Sequence, residues 1–280
     1  MSKVGVITSS AADIPPHLVQ ELDIHIIPCP VIVGDQTLLD GVEITSAELS
    51  DHLRQNPSRV TTASAPVGAF LDMYRQVAEQ VDQIISVHLA STMSAMYNTA
   101  TVARGMCPEL DITLIDSTQV SMGLGWLAIA AARAAQAGQD VAEIEALVQD
   151  MIPRLRLFAY IEDLQYLQQS GRVSAVSALV GSILRIKPLI SVQDGKADVI
   201  AKVRSRSKAL TELVALGRQD GPVQACMVLH LGAPKVAERV RALMSPHLPD
   251  YDIEISEAGS TIGTHVGPGS VSINLVLAGS

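Results

Sequence analysis

The sequence predicts an α/β protein in two domains, an N-terminal, mostly parallel sheet flanked by helices and a C-terminal mixed-sheet α/β domain. Three observations carry that expectation. Short β-branched apolar runs alternate with helix-spaced segments through residues 1–153, the pattern of an open sheet covered on both faces. Two alternating runs at 187–205 flank Asp194-Gly195, the dipeptide of a tight hairpin, so the second half holds antiparallel pairing. Pro153 stops the last helical segment of the first half, which places the domains at 1–153 and 154–280.

Each element has a local reason. Residues 3–8, KVGVIT, are a short buried-strand run closed by the turn-rich SSAAD. Residues 23–33 are strand-like, but two prolines demand an edge or a break. Thr45 or Ser46 caps a helix over 45–55, and Pro66 stands near the start of a helix over 66–80. A strand at 83–89, a helix at 94–106 and a strand at 111–116 follow. Helices are expected over 123–138, ending at glycine, and over 140–152. The second half reads as a strand at 155–162, a short helix at 163–171 and an apolar helix at 176–186. After the hairpin come a helix at 207–218, a strand at 223–232, a helix at 234–244, and strands at 251–256 and 270–278. Between these last strands, IGTHVGPGSV (262–271) reads as a flexible, glycine-rich turn carrying His265.

Composition narrows the function. The chain has 280 residues, 48% of them hydrophobic, enough for substantial cores. A net charge of −9 and only 3% aromatics exclude broad nucleic-acid or anionic-membrane binding. Cys29, Cys107 and Cys226 are odd in number and lack a C-x-x-C, so buried reduced thiols are expected rather than disulfides or zinc. The histidines are dispersed with no i, i+4 pair, and no metal site is expected. The N-terminus has no signal-like apolar run, and the most apolar long stretch, 123–132, falls short of the ~20 residues of a membrane span. A soluble cytoplasmic protein is expected.

Most catalytic motifs are missing. GLGWLA (123–128) fits the dinucleotide fingerprint but starts too far beyond the strand, so its glycines are read as helix packing. There is no phosphate-binding P-loop, no H-E-x-x-H and no G-x-S-x-G. Two hydroxyl clusters are more informative: VTTASAPVG (60–68) and VHLASTMSAM (87–96) each precede a helix. Such junctions present unpaired N–H groups and suit a carboxylate or phosphate, although Ser and Thr also serve there as plain caps. A serine hydrolase drawn from Ser94, His265 and Asp116 is the alternative, as is a sensor of another amphiphile; nothing in the spacing sets a base beside the serine.

Seven segments together resemble the DegV family of bacterial fatty-acid-binding proteins, which includes the FakB subunits of fatty acid kinase. They are VGVITSSAADIP, TASAPVGAF, HLASTMSAMYNTA, YLQQSGRVS, ILRIKPLISVQDGK, KVRSRSKAL and GTHVGPGSV, in family order along nearly the whole chain. The resemblance implies two α/β domains with a ligand tunnel between them. It implies a long-chain fatty acid whose carboxylate is held by Thr62, Ser94 and His265, with no cofactor and no catalytic residue of its own. It also implies presentation of that carboxylate to a kinase subunit for acyl-phosphate formation. Arg172 and Arg204 match family positions in a basic group with Lys187, Lys202 and Arg206, read either as a solvated face or as partner docking. The chain departs from the family pattern at Ser9, Ala63, Ala65, Ala95-Met96 and Ser170. These departures bear on chain-length preference and docking more than on ligand class.

Overall fold

The computed structural model describes residues 3–56, 59–172 and 186–279. The helix expected at 176–186 lies, except for its last residue, outside them.

Strands β1 (Val4–Ser9), β2 (Ile24–Ile27), β6 (Gln83–His88) and β7 (Ile112–Asp116) form a fully parallel sheet in the order β2-β1-β6-β7. β1 and β6 are buried at every residue after the first because both faces are covered. Helices α3 (Val67–Ala78) and α4 (Met96–Gly105) pack on one face, α5 (Ser121–Gln136) and α6 (Val141–Met151) on the other. The prolines of 23–33 break the run as expected: β2 ends before Pro28 at the sheet edge, and Pro30 opens β3 in a different sheet.

That second sheet was not separated in the sequence reading. β3 (Pro30–Val33) lies between β4 (Gln36–Leu39) and β5 (Val60–Thr62), antiparallel to both. Helix α2 (Ser46–Gln55) leaves it through a capping box in which Thr45 and Glu48 satisfy each other's backbone N–H groups. The six-residue helix α1 (Pro16–Glu21) was also not foreseen.

Leu155 opens the third sheet. β8 (Leu155–Tyr160), β9 (Lys187–Gln193), β10 (Lys196–Val203), β11 (Val223–His230), β12 (Glu254–Glu257) and β13 (Val271–Leu277) run in the order β10-β9-β8-β13-β11-β12. All neighbours are antiparallel except β11 and β12. The mixed sheet expected of the second half is therefore present. Asp194 and Gly195 both have positive φ, 50° and 72°, as a tight hairpin turn requires. Helices α8 (Arg206–Leu216) and α9 (Pro234–Met244) cover the outer face through Leu210, Leu213, Ala237 and Val240. The inner face packs on α5, which thus lies between the two large sheets. Gly125 of α5 is a packing glycine: a Cβ there would come 2.6 Å from the Ala12 carbonyl oxygen. Helix α7 (Leu164–Ser170) follows β8.

The flexible turn expected around His265 is instead a helix, α10 (Ser260–Val266). It is held from a distance. Asp40 accepts from the Ser260 and Thr261 N–H groups at 2.8 and 3.0 Å, and Asp13 from the Gly259 N–H at 2.8 Å. The glycines serve packing rather than ligand approach. Gly263 lies against Leu49 and Leu231, and Gly267, with φ 73°, lies against the ring of Tyr166.

Candidate functional site

Between the six-stranded sheet, α10 and the loops leaving β5 and β6 lies a cavity of about 230 Å³. Its floor is the inner face of the large sheet. Leu229, Ser272, Ala159 and Ile190 stand opposite one another on adjacent strands, with Leu157, Val192 and Ala197 in the next row. Leu89, Met93 and Val120 come from the loops of the parallel sheet. The hairpin tip closes one side: the Gly195 N–H donates to the Thr118 carbonyl at 3.0 Å, and the Thr92 hydroxyl donates to the Gly195 carbonyl.

Thr62, Ser94 and His265 all line this cavity. Thr62 ends β5, Ser94 stands two residues before α4, and His265 occupies the last turn of α10. Thr62 Oγ1 and His265 Nε2 are 3.0 Å apart. Burial, reinforced by the nearby Arg172 guanidinium, holds His265 down to about 4, so its ring is neutral at pH 7. Its Nδ1 is buried without a partner among the described residues. An unpaired buried N–H is costlier than an unpaired lone pair. The ring proton therefore belongs on Nε2, donated to Thr62, and the Thr62 hydroxyl proton is left for the cavity. Ser94 Oγ accepts the Met96 N–H at 3.3 Å, the plain capping role, and its own proton has no acceptor among the described residues.

Arg172, which the sequence offers for a solvated face or for partner docking, is exposed and also lies on the cavity wall. Ser170, one of the departures from the family pattern, organises it. The Ser170 hydroxyl accepts the Arg172 N–H at 3.2 Å, and the Ser170 carbonyl accepts Nη1 at 2.5 Å. Arg204 is exposed and is not part of the wall. Two members of the basic group are consumed internally. Lys187 Nζ reaches the Glu162 carbonyl and Oε1 at 2.7 Å each, and Arg206 reaches Oε2 at 2.8 Å. Burial works against the Glu162 charge, yet hydrogen bonds from Lys187, Tyr160 and Arg206 hold its pKa below the ordinary value.

A serine-hydrolase triad is not assembled among the described residues. His265 pairs with Thr62 rather than Ser94, and Asp116 accepts the N–H groups of Ser91 and Thr118. His88 is bonded to Ser86 at 2.6 Å but is fully buried, held down to about 3, and absent from the cavity wall.

Sequence reasoning missed Thr261, four residues before His265 on the same helix face, whose hydroxyl donates to Asp40 at 2.6 Å. The i, i+4 spacing was the available signal. It also missed Asp13, which is buried and accepts the Ser121 hydroxyl at 2.5 Å. Burial is the main cause, with Asp40 adding to it, that raises Asp13 to about 8.

Known proteins share this architecture. The model of the DegV family of uncharacterised proteins matches residues 3–277. A DegV domain-containing protein of Streptomyces coelicolor is 33% identical over 274 residues, covering 96% of this chain and 97% of its own. Among solved structures, DegV, a fatty acid binding protein from Bacillus subtilis, superposes with a TM-score of 0.89 at 26% identity, covering 99% of this chain and 100% of that one. A fatty acid binding DegV family protein from Streptococcus agalactiae gives a TM-score of 0.89 at 26% identity, covering 100% of both chains. No helix among the described residues is long and apolar enough to cross a membrane. Matched from end to end in sequence and in fold, the chain belongs to the DegV family.

Proposed function

We propose that this chain binds a long-chain fatty acid in the cavity, with its carboxylate held by Thr62, Ser94 and His265. The observation that carries the reading is one cavity with a largely apolar wall and a cluster of uncommitted donors. The apolar sheet face supplies affinity. Each buried methylene contributes ~0.8 kcal/mol, so a sixteen-carbon chain gains roughly 11 kcal/mol before ordering costs. The head group needs only satisfied hydrogen bonds. Thr62, which accepts the His265 Nε2 proton and so keeps its own, donates to one carboxylate oxygen, and Ser94 donates to the other. Arg172 supplies the counter-charge. The Bacillus and Streptococcus relatives, described as fatty acid binding, support the ligand class.

The chain acts as a carrier rather than a catalyst, and presents the carboxylate to a kinase subunit for acyl-phosphate formation. Arg204, exposed and outside the cavity, is the residue assigned to docking that partner. The test is native mass spectrometry of the purified protein, followed by titration of the delipidated form with palmitate and oleate. Bound fatty acid is expected, and Ser94→Ala weakens binding by about 1–3 kcal/mol, the cost of an unpaired polar group. Absence of lipid together with no uptake overturns the reading.

A further inference from the structure

The cavity wall holds more hydroxyls than a carboxylate needs, and most are spent inside the protein. Ser121 is bonded to Asp13 at 2.5 Å, Thr261 donates to Asp40 at 2.6 Å, Ser270 to the Val266 carbonyl at 2.7 Å and Ser170 to the Leu167 carbonyl at 2.8 Å. Ser64 faces Thr99 at 3.1 Å. Apart from Thr62 and Ser94, that leaves Ser272. Its Oγ accepts Nδ2 of Asn274 at 3.0 Å, and among the described residues nothing accepts its own proton.

Its position makes this unusual. Ser272 stands on the central strand β13, opposite Leu229 on one side and Ala159 on the other. Asn274 follows on the same face, fully buried, with Nδ2 also 3.5 Å from the Met227 carbonyl and Oδ1 without a partner. Ser272 thus interrupts a floor otherwise built of Leu, Ala, Ile and Val, with Asn274 beside it but outside the cavity wall. For a plain methylene chain such a hydroxyl is a liability, since a buried donor without an acceptor costs stability. An oxygen on the ligand removes that cost. Because Ser272 Oγ already accepts an amide proton, its own O–H is polarised toward donation.

We propose that the cavity selects an acyl chain carrying oxygen along its length, a hydroxy- or oxo-fatty acid, whose oxygen accepts the Ser272 proton. The proposal rests on the fatty-acid reading of the cavity and names the class of chain. The head-group residues fix one end, and Ser272 reads the position of the substituent.

The experiment is calorimetric titration of the delipidated full-length protein with stearate, 10-hydroxystearate, 12-hydroxystearate and 10-oxostearate. At least one oxygenated acid binds about tenfold tighter than stearate, the worth of one buried hydrogen bond. Ser272→Ala abolishes that advantage, because the oxygenated acid loses its donor while stearate, freed of the unpaired hydroxyl, binds at least as tightly as before, which also shows that the variant is folded. Equal wild-type affinity for stearate and every oxygenated acid overturns the proposal and leaves the fatty-acid reading standing. So does a preference that survives in Ser272→Ala. Failure of all four acids to bind overturns both.

Discussion

Asp40 accepts both the backbone N–H and the hydroxyl of Thr261, at 3.0 and 2.6 Å, across 221 residues of sequence. Its other oxygen takes the Ser260 N–H at 2.8 Å. The carboxylate thus caps α10, the helix that carries His265. Asp40→Ala leaves these donors unpaired in a buried setting and is expected to cost about 2–4 kcal/mol in urea denaturation. A loss below about 1 kcal/mol would mean that the apolar face of α10 holds it unaided.

Asp13 and His265 bend the pH profile in opposite senses. Asp13 is raised to about 8 in the fold, so the native state binds the extra proton, and its contribution to stability falls as pH rises from about 4 to 8. His265 is lowered to about 4, so its contribution is complete above about 6.5 and is lost as pH falls toward 4. Between about pH 4 and 6.5 the two contributions oppose each other, and above 6.5 only the Asp13 decline remains. Asp13→Asn, near in shape to the protonated acid, removes the decline above 6.5 and uncovers the His265 rise below it. His265→Gln leaves a decline that starts near pH 4. Denaturation midpoints at pH 4.5, 6.5 and 8.5 separate the two, and unchanged slopes in both variants count against the assignment.

Two glycines differ in what an added side chain would meet. Gly41, with φ 76°, has nothing near its missing side chain, whereas Gly267, with φ 73°, would drive a Cβ into the ring of Tyr166. Gly41→Ala is expected to cost about 1 kcal/mol, the left-handed penalty alone. Gly267→Ala adds an overpacking cost of roughly 1–3 kcal/mol and displaces the turn that follows His265. Thermal melts of the pair test this, and equal losses would remove Tyr166 from the account.

Much of the fold was legible because its signals are local. β1, β6 and β7 are short apolar runs, Asp194-Gly195 announces its hairpin, and α9 spans the residues expected of it. α1 escaped because six residues are too few for a periodicity, and α10 because it is fixed by Asp13 and Asp40, remote in sequence. Its glycines suggested flexibility where they allow close packing on Leu49, Leu231 and Tyr166. Thr62, Ser94 and His265 share one cavity, whereas the place of Arg172 on its wall depends on a turn that composition does not reveal. Ser272 and Asn274 did leave a trace. Polar residues at 270, 272 and 274 alternate along a strand that the sheet order places centrally.

The parallel sheet gives way to the mixed one at Leu155, but the packing does not divide there. Leu155, Met227, Leu229 and Val276 belong to the same buried cluster as Ile7, Ile85 and Leu127, and Trp126 donates to the Asn274 carbonyl at 3.2 Å across the junction. Cutting the chain between the sheets would strip α5 of one of its two apolar neighbours and wet a face that is dry in the whole. The two topologies are thus expected to melt as one cooperative unit, and a cargo wedged between the sheets to share in that cooperativity, raising the midpoint of the entire chain rather than of either half.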